Sequence, residues 1–113
     1  MKRRFRLTGT ADFKRVRHSG KSYAHPLVVL VVLSNGLEIS RFAVAAGRSV
    51  GHAVQRNRAK RMIRAALTSK QEQVTPGWDV VVIARKAIRN VKFDQLCEAL
   101  HGLLMSAGLL DGK

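Results

Sequence analysis

Two stretches of this 113-residue chain are too uniformly apolar to face water. Residues 27–33 read Leu-Val-Val-Leu-Val-Val-Leu, and residues 78–84 read Trp-Asp-Val-Val-Val-Ile-Ala. The first, rich in β-branched valine, predicts a strand covered on both faces, or nearly so, and the second predicts a further long strand. Two-sided cover calls for helices, and the sequence signals them. Thr10-Ala11-Asp12-Phe13 can open a short helix, with Thr10 as N-cap, Asp12 favourable in the positive first turn, and Gly20 at the exit. Phe93, Leu96, Cys97, Leu100, Leu103, Leu104 and Ala107 recur at helical spacing and predict a last helix. Ser34-Asn35-Gly36 signals a hairpin turn, after which residues 39–46 return as a second strand; Thr75-Pro76-Gly77 marks another turn. The predicted order is helix, two strands, helix, strand, helix (αββαβα). It describes a single α+β domain, an α/β sandwich whose mixed sheet contains a β-α-β crossover. Residues 1–7 read as a flexible basic arm and 108–113 as a flexible tail.

The central helix, expected over residues 52–69, follows a loop bracketed by Gly47 and Gly51 and carries the strongest functional signal. No carboxylate occurs between Glu38 and Glu72, yet that interval holds Arg41, Arg48, Arg56, Arg58, Lys60, Arg61, Arg64 and Lys70. At about 100° per residue, Lys60, Arg64, Asn57, Arg61 and Arg58 span one broad face. Met62, Ala66, Ala59, Ile63 and Leu67 occupy the opposite arc, with Arg56 at the border. Like charges three and four residues apart repel along a helix, so folding gains nothing from the stripe. A solvated surface would accept interspersed Glu equally well, and Asn57 adds a donor and an acceptor between two arginines. An external polyanion explains the pattern better.

The whole chain agrees. With 21 Lys and Arg against 7 Asp and Glu, the net charge is +14 and the pI about 11.5, the footprint of a nucleic-acid binder. At 46% hydrophobic residues it is too apolar for a disordered basic tail. One cysteine, Cys97, excludes an internal disulfide and fits a reducing compartment. The apolar runs are too short to span a bilayer, and no secretory signal follows the basic N-terminus, so a cytoplasmic protein without membrane contact is expected.

Catalytic constellations are absent. Gly20-Lys21-Ser22 lacks the earlier glycine of a phosphate-binding loop, since position 15 is Arg. His18, His25, His52 and His101 show no metal-ligand spacing, and the carboxylates are scattered rather than clustered for two ions. No catalytic residue, protein-bound metal, cofactor or small-molecule substrate is expected. Among the few aromatics, Phe13 sits beside Lys14 and Arg15 and can either stack on a base or anchor its helix to the sheet. Phe5 in the arm is equally open, whereas Trp78 and Phe93 read as core.

At this point the residues resemble a family. Gly51-x-Ala53-Val54-x-Arg56-Asn57-Arg58-x-Lys60-Arg61-x-x-Arg64 is similar to the signature of the bacterial ribonuclease P proteins. Asp12-Phe13-x-x-Val16 and Val82-Ile83-Ala84-Arg85-Lys86 match in order, and the likeness runs from about residue 6 to about residue 105. The resemblance implies the small subunit of a ribonucleoprotein endonuclease that removes the 5′ leader from precursor tRNA. It implies that a large RNA is the catalyst, using Mg2+, and that the protein binds that RNA and the leader and lowers the magnesium requirement. It also implies a left-handed crossover, against the general right-handed rule. By position, Arg48, Arg56, Asn57, Arg58, Lys60, Arg61 and Arg64 would contact the catalytic RNA. Phe13, Lys14, Arg17 and Val31 would line a leader cleft between the first helix and the exposed face of the sheet. Arg17 and Val31 depart from aromatic positions of the family, and Ser49 loses a charge that the family pattern carries. A non-catalytic RNA-binding protein of another assembly, such as the ribosome, fits charge and size equally well and lacks only the Arg-Asn-Arg signature. A small autonomous nuclease is the third alternative.

Overall fold

Both Val-rich runs become strands, and the later one takes the centre of the sheet. The structure, a computed structural model, describes residues 5–110. Strands β1 (Lys21–Ala24), β2 (Val28–Ser34), β3 (Arg41–Ala46) and β4 (Trp78–Ala84) lie in the order β1-β2-β4-β3. β4 pairs antiparallel with β2 and parallel with β3, so the sheet is mixed. Helices α1 (Thr10–Ser19), α2 (Ala53–Thr68) and α3 (Phe93–Ser106) complete the domain, with short 3-10 segments at Arg48–Val50 and Lys86–Asn90.

The two faces of the sheet are covered unequally. Leu30, Phe42, Val80 and Val82 point to one face and form the main core with Ile63 and Leu67 of α2 and Leu96, Leu100 and Leu104 of α3. Val31 and Val81 point to the other and are sealed by Val16 of α1 and Leu7. α1 is only 10 residues long, so Val29, Ala43 and Ile83 on that face remain half-buried. Gly20 lets α1 turn directly onto the sheet. A Cβ there would stand 2.5 Å from the Val16 carbonyl oxygen and 2.8 Å from Val31 Cγ1.

The structure corrects several expectations. β1 is an additional strand, and it, not β3, forms the antiparallel hairpin with β2. The turn at Ser34-Asn35-Gly36 exists, but the chain crosses the end of β4 and returns as β3 on its far side. A central position goes to the strand that buries both faces, and β4 buries Val80, Val81 and Val82 completely. β3 begins at Arg41 rather than at 39. Gly9, with φ 100°, is the N-cap of α1 in place of Thr10. Residues 5–7 are not a flexible arm: Phe5 and Leu7 are buried, Arg6 bridges Phe42 in parallel, and the Leu7 amide donates to the Phe42 carbonyl at 2.7 Å. Leu109 is fully buried, so the expected tail is packed at least to that residue. Residues 1–4 and 111–113 of the expected arm and tail lie outside the described residues.

Candidate nucleic-acid interface

α2 is amphipathic as its spacing dictates. Ala59, Ile63, Ala66 and Leu67 are buried, whereas Asn57, Arg58 and Arg61 are exposed and Arg56, Lys60 and Arg64 half-buried. Its first turn contains no acidic residue, so the partial positive charge of the helix N-terminus adds to the same surface. Among the described residues, no salt bridge engages a cation of α2. Val54 stands 75% exposed beside this face, an apolar contact that the charge pattern did not single out.

The other arginines behave differently. Asp79 is completely buried at the start of β4, where Arg41 donates to both its oxygens at 2.9 Å and Asn35 Nδ2 to Oδ1 at 2.9 Å; Arg15 also donates to Oδ2. Burial alone would raise the Asp79 carboxyl pKa. The hydrogen bonds from Arg41 and Asn35, with the charge of Arg41 and the Arg15 hydrogen bond, outweigh it and hold the group below the usual carboxylate range. Asp12 adds a second carboxylate, 3.6 Å from Arg15 and 3.9 Å from Arg41.

The stripe on α2 straddles two depressions. On one side Arg64 reaches a cleft of ≈ 460 Å³ that it shares with Arg6, Thr10, Phe13, Ala43 and Val44. A residue expected on the catalytic RNA and one expected on the leader therefore border the same cleft. Phe13 is half-buried: it packs toward Leu7 and Val16 and also lines the cleft, so anchoring and exposure coexist in one ring. Lys14, Arg17 and His18 line a shallower recess with Phe13, across α1. Arg48 is exposed on the 3-10 turn after β3. Val31 is corrected: at 2% exposure beneath α1 it is the packed floor, unavailable to a ligand. Phe93, expected in the core, is 44% exposed, and Phe5 is core.

On the other side of α2 the structure adds cations that were absent from the expected site. Arg85, Lys86, Arg89 and Lys92 are exposed on and around the 3-10 segment after β4, and Arg58 Nη1 lies 3.5 Å from the Arg89 carbonyl oxygen. Their signal was in the sequence, since residues 80–93 contain no carboxylate. Only the fold shows that this run abuts α2. Cys97 is half-buried, and burial, with Asp94 nearby, pushes its thiol pKa up despite Lys70, which leaves it a poor nucleophile. Among the described residues no cluster of three or more His, Cys, Asp or Glu could hold a metal ion, and no helix is long and apolar enough to cross a membrane.

A shallow cationic surface flanked by a cleft with one half-exposed aromatic ring suits single-stranded and folded RNA. The sequence model of the family Ribonuclease P matches residues 1–108 of this chain. The chain belongs to the bacterial ribonuclease P protein family. It is 39% identical to the ribonuclease P protein component of Herpetosiphon aurantiacus over 109 residues, covering 96% of this chain and 89% of that relative. A solved ribonuclease P protein from Staphylococcus aureus superposes with a TM-score of 0.84 at 27% identity, covering 95% of this chain and 98% of that one. The ribonuclease P protein from Thermotoga maritima gives 0.81 at 31% identity, covering 89% and 96%. The chain is thus a protein subunit of ribonuclease P, and the reading as a component of another RNA assembly is not favoured.

Proposed function

We propose that this subunit holds the RNA of ribonuclease P on the basic face of α2 and the 5′ leader of precursor tRNA in the cleft beside Phe13. The observation that carries the reading is that, among the described residues, no carboxylate pairs with a cation of α2, whereas Arg15 and Arg41 converge on Asp79. Arg48, Arg56, Asn57, Arg58, Lys60, Arg61 and Arg64 bind the RNA subunit, which performs the cleavage. Phe13 stacks on a leader base, and Lys14 and Arg17 meet leader phosphates. Neutralising about six phosphates makes attachment strongly salt-dependent and supplies affinity without sequence choice.

Magnesium belongs to the RNA in this scheme, because phosphate oxygens are ligands that this hard ion accepts. The protein's nearest acidic pair fits the ion poorly: Asp79 is already bonded by Arg41, Asn35 and Arg15, and Asp12 lies beside two guanidiniums. The subunit lowers the magnesium requirement by supplying fixed positive charge where RNA and leader phosphates converge. The cytoplasm, where tRNA precursors are made in bacteria, is its place of work.

The test is cleavage of precursor tRNA by a bacterial ribonuclease P RNA at low magnesium, with the protein, without it, and with protein alone. Rescue by the protein, and none by an equally basic control, is expected. Cleavage by protein freed of RNA would overturn the assignment of catalysis to the RNA.

A further inference from the structure

Between α2 and the 3-10 segment Lys86–Asn90 lies a recess of ≈ 250 Å³. Its floor is apolar, made by buried Ala59 and Ile88 and half-buried Met62. Its rim is polar, made by Gln55, Arg58, Arg89 and Asn90. Among the described residues no hydrogen bond engages the side chains of Gln55, Arg89 or Asn90, and the one contact of Arg58 is long, 3.5 Å. The Gln55 Oε1 is enclosed beside Gly51 without a donor, an arrangement that calls for an explanation.

We infer that this recess receives one unstacked adenine of the RNA that α2 binds, an inference that rests on the subunit reading above. Three features select that occupant. An apolar floor matches the face of a base and not a phosphate, which would lose its water there without compensation. Two carboxamides at the rim match an unpaired adenine, whose Watson–Crick edge offers the N6 amino donor beside the N1 acceptor to a carboxamide. The exocyclic amino group supplies the donor that the Gln55 amide lacks once that amide turns toward the base. Arg58 and Arg89 then flank the nucleotide where its phosphates must pass. The volume is below the range of about 300–1,000 Å³ usual for drug-sized ligands, so it admits one base and excludes a duplex.

Asn90 is exposed, so Asn90→Phe fills the recess without entering the core; Gln55→Leu removes the inner carboxamide at nearly constant volume. Neither changes the charge. Binding of each to a bacterial ribonuclease P RNA is measured across a salt series, together with methylation of the RNA by dimethyl sulfate, which marks the open edges of unpaired adenines. Both variants are expected to bind about ten-fold more weakly with an unchanged salt slope. One adenine shielded by the native protein becomes reactive in both complexes. Native affinity and native shielding in either variant, folded by circular dichroism, would overturn the inference. If the native protein binds this RNA no better than an equally basic control, the subunit reading itself fails, and that result is distinct from loss in the variants alone.

Discussion

The chain uses arginine in two opposite ways, and the contrast separates fold from function. Arg15 and Arg41 converge on buried Asp79, with Asp12 beside them, and tie α1, β3 and β4 together at one end of the sheet. Arg58 and Arg61, exposed on α2, have no carboxylate partner among the described residues. Only 7 acidic side chains are present, and two of them serve the first group. The cations of α2, without carboxylate partners among the described residues, are those proposed above to meet the RNA.

The comparison breaks most sharply at Asp79. Asp79→Asn keeps the shape but leaves two guanidiniums, one of them 24% exposed, with only the more distant carboxylate of Asp12, and should cost about 3 kcal/mol. Thermal unfolding checks this, and an unchanged midpoint would mean the cluster is ornamental. Arg58→Ala with Arg61→Ala should do the reverse. Binding to the ribonuclease P RNA falls by about 2 kcal/mol, roughly 30-fold, and the salt slope becomes shallower by about two, with little change in melting. Loss of stability in that double variant would put both side chains on the structural side. Phe13→Ala sharpens the middle ground, since the ring is both anchor and cleft wall. Affinity for precursor tRNA should fall by about 1 kcal/mol more than affinity for leaderless tRNA; equal losses would return Phe13 to the core.

The same cluster answers to pH. The Asp79 pKa is depressed in the fold, so its stabilisation is complete above the unfolded carboxylate value near 4 and is lost as pH falls through the lower folded value. Acid unfolding curves should show this limb in the native protein and lack it in Asp79→Asn.

Much of the architecture was legible because period and length agreed. α2 and α3 announce themselves by apolar spacing, and β2 and β4 by uninterrupted valine. β1 was not, because Lys-Ser-Tyr-Ala has no apolar face to read: three of its residues are exposed, and it exists through pairing with β2. The misplaced hairpin has a related cause. Asn35 looks like a turn residue and is one, with its Oδ1 accepting from the Leu37 amide, but its Nδ2 also reaches Asp79 at the end of β4. A local signal identifies a turn and says nothing about which strands flank it. The basic face of α2 followed from charge spacing alone. The recess beside it did not, since it joins Gln55 to Asn90 across a boundary that only packing defines. Val31 was misassigned because an apolar residue in a two-sided strand carries no mark of which helix will cover it.

The sheet order has a consequence in the time course of synthesis. Among the described residues β4 is the last strand made, yet it lies between β2 and β3 and is the one strand that β3 pairs with. A chain still growing before Trp78 can pair β1 with β2 and lay Arg6 and Leu7 against Phe42, but it cannot join β3 to β2. The apolar side of α2 must then wait beside an unfinished sheet while its cations are already displayed. Non-local pairing of this kind delays folding until the late segment arrives. For this protein the cationic helix is therefore complete in sequence before the platform that is to hold it, and the final third of the chain closes the structure.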